Sequence, residues 1–410
     1  MSGAGSAGAP VVVCFPFVGK ELGGSHISAC GLIRHLDHNR YIPRVVLQYA
    51  DSPIGELFSD YGIAVEPSPQ TAALRLTQPF GIDHAINALA SIQPLTHFLR
   101  ERDVRIVHSN DGRTHATWAL PARLAGAKLL WHHRSGPTAS GLRFAAPLLA
   151  DKVVSVSAYA APRPGLYSAA HKTQVIHSPF DVNVEEDRDD ARKALLAELQ
   201  CPPQTRFIGF FGALIDRKRP LLFVDAIAAL RQQAPDIPVM GLVFGEHFFD
   251  SAARLSARIA AHGMADHIKL MGFRKPGSRW LAACDALMVT AVDEPFGRTL
   301  IEAMLVGTPV VATNSGGNPE ALRDGVTGLL VPAEDAQGLA AACARLLHSP
   351  ELGRAITDRA CAEAKEKFGE DCHAAAVMSL YDELLSLGPK KTMRKKANAT
   401  YHQSVEDGHA

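Results

Sequence analysis

The sequence has no excess of charge of either sign. Among its 410 residues, 42 are Lys or Arg and 42 are Asp or Glu, so net charge gives no chain-wide reason to bind nucleic acid. Hydrophobic residues make up 47% and charged residues 20%, which is enough apolar side chain for a large core and excludes wholesale disorder. At about 150 residues per domain, this length predicts two or three domains.

Long hydrophobic runs and paired cysteines are also missing. No apolar stretch approaches the roughly 18–20 residues that a membrane-spanning helix needs. No basic residue precedes Lys20, so the apolar run 11–18 lacks the charged start of a signal peptide. The seven cysteines are scattered, without a C-x-x-C pair or zinc-type spacing. We therefore expect reduced thiols and a cytoplasmic protein.

Short β-rich runs alternate with longer helical patterns, which is typical of βαβ units and parallel sheets. The pattern predicts helices at 27–36, 85–100, 221–232 and 251–262. It predicts strands at 11–15, 44–48, 104–108, 128–132, 152–157, 174–178, 206–211, 238–244, 268–272, 286–290, 309–312 and 328–332. The predicted fold class is α/β, with two Rossmann-like, doubly wound parallel-sheet domains whose carboxyl strand ends face a shared cleft.

The acidic run 185–190 interrupts this alternation and marks the predicted domain boundary. We expect a flexible segment 1–10, an N-terminal domain 11–185 and a C-terminal domain 186–370. A helix at 371–388, ended by Gly388-Pro389, is predicted to pack back on the first domain. The segment 389–410 is expected to be a flexible basic tail. Its five cations could instead make a weak contact with anionic lipid; they are Lys390, Lys391, Arg394, Lys395 and Lys396.

Two motifs resemble ligand sites but lie in the wrong context. Residues 3–8 match G-x-G-x-x-G, yet they precede the first predicted strand, whereas a dinucleotide site needs these glycines between a strand and a helix. The D-x-D of Asp187-Arg188-Asp189 lies among other acids in the linker. We interpret the first as part of the flexible start and the second as a solvated charge run.

The segment 290–320 is the most informative part of the chain. It predicts a strand ending near Thr290, a loop containing Gly297, and a helix at 298–306. A helix that begins this way points free N–H groups and the positive end of its dipole at a phosphate or a hydroxyl-rich ligand. Glu294 in the loop and Glu302 in the helix can accept hydrogen bonds from the vicinal hydroxyls of a sugar or ribose. Alternatively, both are ordinary helix-terminal and surface charges.

Two other loops at predicted carboxyl strand ends suit a diphosphate. Arg217, Lys218 and Arg219 follow the strand 206–211, and cations at that place favour phosphate binding. Gly23-Gly24 lie between the first strand and the first helix, where glycine lets the backbone approach a ligand closely. Both halves therefore offer phosphate-tolerant loops to one cleft.

The spacing E-x7-E from Glu294 to Glu302 resembles the signature of the retaining glycosyltransferases called group 1 or family 4, which have the GT-B fold. The resemblance runs in order over most of the chain and is specific from about residue 207 onward. In the first half it is looser, as expected where the acceptor binds. The other segments that carry it include Gly23-Gly24, His132-His133, Lys218-Arg219-Pro220, Met271-Gly272-Phe273, Asp285 and Gly316-Gly317-Asn318-Pro319-Glu320.

The resemblance implies a role for each matching residue. Glu302 would bind the nucleotide ribose, Glu294 the donor-sugar hydroxyls and Lys218 the diphosphate. Either His132 or His133 would contact the donor sugar. Further implied donor-binding residues are Gly23, Gly24, Arg217, Arg219, Phe273, Phe296, Gly297, Arg298 and Thr299.

One position departs from the family pattern. Relatives usually carry an arginine where this chain has Ala213, so one of two diphosphate cations is missing. Arg217 or Arg219 is expected to substitute for it. A lost charge-assisted contact costs about 1.5–3 kcal/mol, which weakens activity without abolishing it.

The implied function is retaining, metal-independent transfer of a sugar from a nucleotide-diphosphate sugar to an acceptor hydroxyl, in polysaccharide or glycoconjugate biosynthesis. No cofactor, metal or nucleic acid is implied. The acceptor is expected to be a saccharide, a lipid-linked molecule or a small molecule. The protein is expected in the cytoplasm, with possible peripheral contact at the inner face of the membrane. Two alternatives are a non-catalytic nucleotide-sugar-binding protein, prompted by Ala213, and a sugar-nucleotide epimerase.

Overall fold

Two parallel β-sheets organise the chain. The computed structural model describes residues 9–69, 82–246 and 251–386. Strands of the first sheet are β1 (Val11–Phe17), β2 (Tyr41–Leu47), β3 (Val65–Pro67), β4 (Val104–Ser109), β5 (Lys128–His133), β6 (Lys152–Ser155) and β7 (Thr173–Val175). Those of the second are β8 (Arg206–Phe211), β9 (Val239–Phe244), β10 (Ile268–Gly272), β11 (Ala286–Val289), β12 (Val310–Thr313) and β13 (Leu329–Val331).

The strand orders are β3-β2-β1-β4-β5-β6-β7 and β10-β9-β8-β11-β12-β13. In each sheet the order reverses beside the first strand, β1 or β8, so each half is doubly wound, and the predicted fold class is confirmed. The α-helices are α1 (Gly24–Arg34), α2 (Pro53–Asp60), α3 (Ile82–Glu101), α4 (Gly112–Ala125), α5 (Ala146–Leu149), α6 (Arg188–Leu199), α7 (Pro220–Gln233), α8 (Ser251–Ala261), α9 (Gly277–Ala283), α10 (Arg298–Leu305), α11 (Asn318–Ala321), α12 (Ala336–His348), α13 (Pro350–Lys367) and α14 (Glu370–Ser386).

Every strand that the sequence predicts falls on an observed strand, with ends that differ by at most three residues. The sequence missed β3, because a three-residue strand is too short to show an alternating pattern. β3 carries Glu66, whose carboxylate is bound by Arg44 and, at 2.9 Å, by Arg102. Two ion pairs therefore help to hold this edge strand in place.

The last helix, α14, returns to the first sheet. Its buried Val377 and Tyr381 belong to the same apolar cluster as Phe15 of β1. The Tyr381 hydroxyl lies 2.6 Å from His108 Nδ1, and its ring lies 5.2 Å from that of Tyr41. The predicted domain limits stay a prediction, and the segments 1–8 and 389–410 lie outside the described residues.

The acidic linker is not a solvated charge run throughout, which corrects the expectation from sequence. Asp187 caps α6 by accepting a hydrogen bond from the Asp190 amide. The half-buried Arg188 donates to the Val306 carbonyl at 2.9 Å and to Thr308 Oγ1 at 2.8 Å. Arg188 therefore fastens the start of α6 to the second domain, because a buried guanidinium must satisfy its donors.

Two further expectations concern membrane-spanning segments and cysteines. Among the described residues no helix combines the length and hydropathy that crossing a bilayer requires. All seven cysteines are free thiols, and Cys14, Cys284 and Cys343 are fully buried. Burial raises the pKa of each of these three thiols, so they remain protonated and unreactive at neutral pH.

Candidate active site

The loops at the carboxyl ends of the two sheets meet in one cleft. Behind β6, Ser157 Oγ donates to the Pro295 carbonyl of the second domain. Tyr159 donates its hydroxyl to Asp293 Oδ1 at 2.8 Å and its amide to Glu320 Oε1 at 2.8 Å. These contacts hold the first domain against the loop 290–297, so residues from both sheets can act on one ligand.

Glu294 lies at the centre of this cleft edge. Its side chain is almost buried, and Oε2 binds Arg217 and, at 2.9 Å, Lys218 Nζ. A glycine pair sets its position: Gly317 N–H donates to the Glu294 carbonyl at 2.7 Å. Gly316 has φ +61°, and a Cβ there would lie 2.5 Å from the Glu294 backbone. Only glycine fits so close to the loop.

The two arginines that follow β8, Arg217 and Arg219, bind different partners. Arg217 lies beside Glu294, whereas Arg219 turns away and its Nε pairs with Glu334 at 2.5 Å. Of the two proposed substitutes for the arginine missing at Ala213, the structure brings only Arg217 to the cluster. Arg219 is not brought together with the other predicted donor-binding residues.

Arg298 joins the two domains. Its Nη1 donates to Ser28 Oγ at 2.8 Å and to the Pro179 carbonyl at 3.1 Å. Its side chain lies against Gly24, where a Cβ would be 2.6 Å from Arg298 Cδ. Burial lowers the pKa of Arg298, while Glu302, whose Oε1 lies 3.4 Å from Arg298 Nε, raises it. The structure thus brings Gly24, Arg298 and Glu302 together.

The start of α10 presents backbone to the cleft. The Phe296 ring is 5% exposed and stacks on His177 at 4.9 Å between centroids. Any ligand contact of Phe296 must therefore come from its backbone. Gly297 is the N-cap of α10 and has no side-chain cap, and the half-buried Thr299 lies in the first helical turn.

Gly23 and Phe273 complete the predicted donor set from opposite domains. Gly23 is the N-cap of α1, and its N–H is held by His26 Nδ1 at 3.0 Å. Phe273 follows β10 and is 60% exposed, with Lys275 Nζ 5.8 Å from its ring centroid. Within residues 9–69, 82–246 and 251–386, no group of three or more His, Cys, Asp or Glu is arranged to hold a metal ion. That no metal takes part stays a prediction.

The two candidate histidines end β5, where successive side chains point to opposite faces of the sheet. His132 is fully buried, and its Nδ1 lies 3.1 Å from His108 Nε2 and 3.3 Å from Arg134. His133 Nε2 pairs with the Gly136 carbonyl at 3.0 Å. Burial lowers the pKa of both rings, so both are neutral at pH 7 and serve as hydrogen-bonding groups, not as cations.

The sequence and the fold both resemble those of known proteins. The family model described as Glycosyl transferases group 1 matches residues 205–349. The lipopolysaccharide core biosynthesis mannosyltransferase LpsB of Rhizobium meliloti is 32% identical over 242 residues, which cover 57% of this chain and 66% of LpsB. This chain belongs to the group 1 glycosyltransferases. A D-inositol 3-phosphate glycosyltransferase of Streptomyces bingchenggensis is 34% identical over 216 residues, covering 50% of this chain and 46% of that protein.

Solved structures are similar to this group 1 family member over most of its length. Anabaena HepE in complex with UDP and glucose matches with a TM-score of 0.76 and 24% identity, covering 90% of this chain and 99% of HepE. The GT-B fold is thereby confirmed. The chain spans about half to two thirds of the length of the two curated relatives above.

Sequence reasoning about this group 1 protein missed a buried polar network behind the site. Arg134 follows His133 directly. Its Nη1 lies 3.3 Å from Ser178 Oγ, and its Nη2 lies 3.4 Å from Asn110 Oδ1. His108 and Tyr381 continue the network into the core. The polar residues His108, His132 and Ser178 at the ends of three predicted strands were the available signal, but they do not reveal which partners meet.

The buried histidines predict that acid destabilises the fold. Burial lowers the pKa of His108, His115 and His132 well below the usual value and that of His373 to about 3. Below pH about 6.5 these histidines bind protons in the unfolded chain but stay neutral in the folded chain. The free energy of unfolding therefore keeps its full value above that pH and decreases as the pH falls. We expect urea unfolding to show a loss of about 1.4 kcal/mol per pH unit for each such histidine.

The control for this prediction is a matched pair of variants. His373→Gln should reduce the pH slope of the unfolding free energy by about one proton between pH 6 and pH 5. His97→Gln, at an exposed position, should leave the slope unchanged. Equal slopes in all three proteins would contradict the prediction.

Proposed function

We propose that this chain transfers a sugar from a nucleotide-diphosphate sugar to an acceptor hydroxyl with retention of configuration, in polysaccharide or glycoconjugate synthesis. The observation that carries the proposal is the cluster of Arg217, Lys218 and Glu294 at the cleft edge. Two cations and one carboxylate leave a net positive site beside a helix N-terminus, which suits a diphosphate next to a polyhydroxylated ring.

The chemistry follows from where charge develops. As the bond between the anomeric carbon and the diphosphate oxygen breaks, negative charge grows on the diphosphate, and Lys218, Arg217 and the amides at the start of α10 can stabilise it. The sugar carbon becomes oxocarbenium-like. An acceptor hydroxyl attacks the same face, and the departing phosphate oxygen takes its proton. In this proposal no cofactor or metal is required, and Glu294 exchanges its cationic partners for the sugar hydroxyls when donor binds.

The relatives support a nucleotide-sugar donor and make uridine the first to test. LpsB is a mannosyltransferase by name, and Anabaena HepE has been solved with UDP and with UDP-glucose. The two alternatives predict other outcomes with a labelled donor. A non-catalytic binding protein would bind without turnover, and an epimerase would change the sugar without forming an acceptor product.

Glu302 is proposed to bind the ribose of the donor, and its replacement tests this. A thermal-shift screen against UDP, GDP, ADP and their common sugar conjugates should reveal one nucleotide that stabilises the protein, by about 2.7 kcal/mol at 100 times its dissociation constant. Glu302→Ala should erase that shift. Glu366→Ala, which changes an exposed glutamate of α13, should preserve it. A full shift in Glu302→Ala would overturn the ribose assignment.

A further inference from the structure

A pocket of about 540 Å³ lies between the two domains beside Glu294. The first domain contributes Arg134 and the following turn after β5, together with Tyr159 and Arg163 after β6. The second domain contributes Arg217 together with Asp293 and Pro295, the two chain neighbours of Glu294. The pocket therefore lies next to the proposed reacting centre.

This pocket is distinct from the proposed donor-binding surface. None of Gly24, Phe273, Arg298 and Glu302 lines it. Arg217 is the shared element, because it lines the pocket and binds Glu294. The pocket and the donor-binding residues around Glu302 are therefore separate surfaces, which a transfer reaction with two substrates needs.

The charge of the pocket is positive. Three arginines and one aspartate line it, a balance of 3 − 1 = +2. The aspartate, Asp293, already accepts a hydrogen bond from Tyr159 at 2.8 Å. Arg217 has Glu294 as its partner, and Glu294 also binds Lys218. The remaining two cations, Arg134 and Arg163, have no carboxylate within 4 Å among the residues described here.

Arg134 is held in place by neutral hydrogen-bond partners and forms no ion pair with the described residues. These partners are Ser178 Oγ at 3.3 Å, Asn110 Oδ1 at 3.4 Å and His132 Nδ1 at 3.3 Å. Its buried Nε has no partner in the described part of the chain. Burial lowers the pKa of Arg134 to about 9, the Arg298 cation adds to that shift, and Asp111 opposes it. A desolvated cation of this kind gains most from an incoming anion.

We propose that this pocket binds the acceptor and that the acceptor is an anionic saccharide, carrying a phosphate or a carboxylate that Arg134 and Arg163 hold. The inference rests on the proposed transferase function and adds the substrate class. The anion fixes one end of the acceptor on the first domain, and a hydroxyl at the other end is presented toward Glu294. Loss of one charge-assisted contact should weaken binding about 10-fold or more.

Calorimetry on the full chain saturated with UDP tests the proposal, with glucose 6-phosphate, glucuronate and glucose as probes. We expect at least one charged probe to bind 10-fold or more tighter than glucose. The stronger of the two identifies phosphate or carboxylate as the preferred group. Arg163→Gln should weaken that probe about 10-fold and leave the UDP affinity unchanged. Arg143→Gln, an arginine stacked on Phe144 outside the pocket, should change neither.

The outcomes separate this inference from the proposed function. Equal affinities for all three probes with UDP bound, or equal losses in Arg163→Gln and Arg143→Gln, would overturn the anionic acceptor while leaving donor binding intact. A parallel loss of UDP affinity in Arg163→Gln would assign the pocket to the donor and also overturn the inference. If no nucleotide binds the unaltered protein, the proposed function itself fails, and the inference falls with it.

Discussion

Lys218→Ala is expected to lower kcat of sugar transfer by about 10²–10³-fold, which corresponds to about 2.7–4 kcal/mol of lost transition-state stabilisation. Lys218 Nζ lies 2.9 Å from Glu294 Oε2 at the cleft edge, where it can reach the departing diphosphate. Its charge counts most when the bond breaks, so kcat should fall more than the donor KM rises. Initial rates with a radiolabelled donor measure both parameters.

Two further variants show whether the effect belongs to that position. Lys193→Ala removes an exposed lysine of α6 and should leave kcat unchanged. Arg217→Ala should also lower kcat, because Arg217 is the cation that the structure offers in place of the arginine missing at Ala213. A Lys218→Ala enzyme with nearly full kcat would refute the assignment of the diphosphate charge to this loop.

Asp285→Ala should lower the free energy of unfolding by about 3 kcal/mol or more. Asp285 Oδ2 accepts from Arg192 at 2.7 Å and from the Phe207 amide at 2.8 Å, and Oδ1 accepts from Arg206 at 2.9 Å. The carboxylate is mostly buried, and removing it leaves Arg192, which is mostly buried, and the Phe207 N–H without this acceptor. Breaking a buried ion pair from one side costs about 3–5 kcal/mol. Urea unfolding followed by circular dichroism measures the loss.

The matched control for Asp285 is an aspartate at the surface. Asp236 lies 3.3 Å from His348, and its side chain is 66% exposed. Asp236→Ala should cost about 0.5 kcal/mol or less, since exposed ion pairs contribute little. Asp285→Asn keeps the shape of the side chain and removes its charge. Its loss of unfolding free energy should therefore lie between those of Asp285→Ala and Asp236→Ala. If Asp285→Ala were no less stable than Asp236→Ala, the anchoring role would be wrong.

The sequence predicted the elements of the fold better than their contacts. Alternating and helical patterns are local, because each residue's exposure repeats along its own strand or helix. They therefore located every strand except β3 and placed α10 directly after the loop of Glu294. They could not show that Arg188, in an acidic run, would be drawn into the second domain.

What the sequence by itself determined is the order of strands and helices, the two doubly wound halves, the placement of Glu294 and Lys218 in loops at carboxyl strand ends, and that of Glu302 in the helix that follows. These follow from local periodicity and from the rule that loops at one edge of a parallel sheet share a cleft.

The tertiary structure alone decided which side chains meet. Arg217 and Glu294 are 77 positions apart, and their pairing, like the turning away of Arg219, depends on how two separate loops pack. The bridge from Arg298 to Ser28 joins the two domains, and Arg134 meets Ser178 and Asn110 from distant segments of the first domain. Such contacts produce no repeating pattern in the sequence. The free energy that stabilises them comes from desolvation and long-range packing and not from local backbone preference.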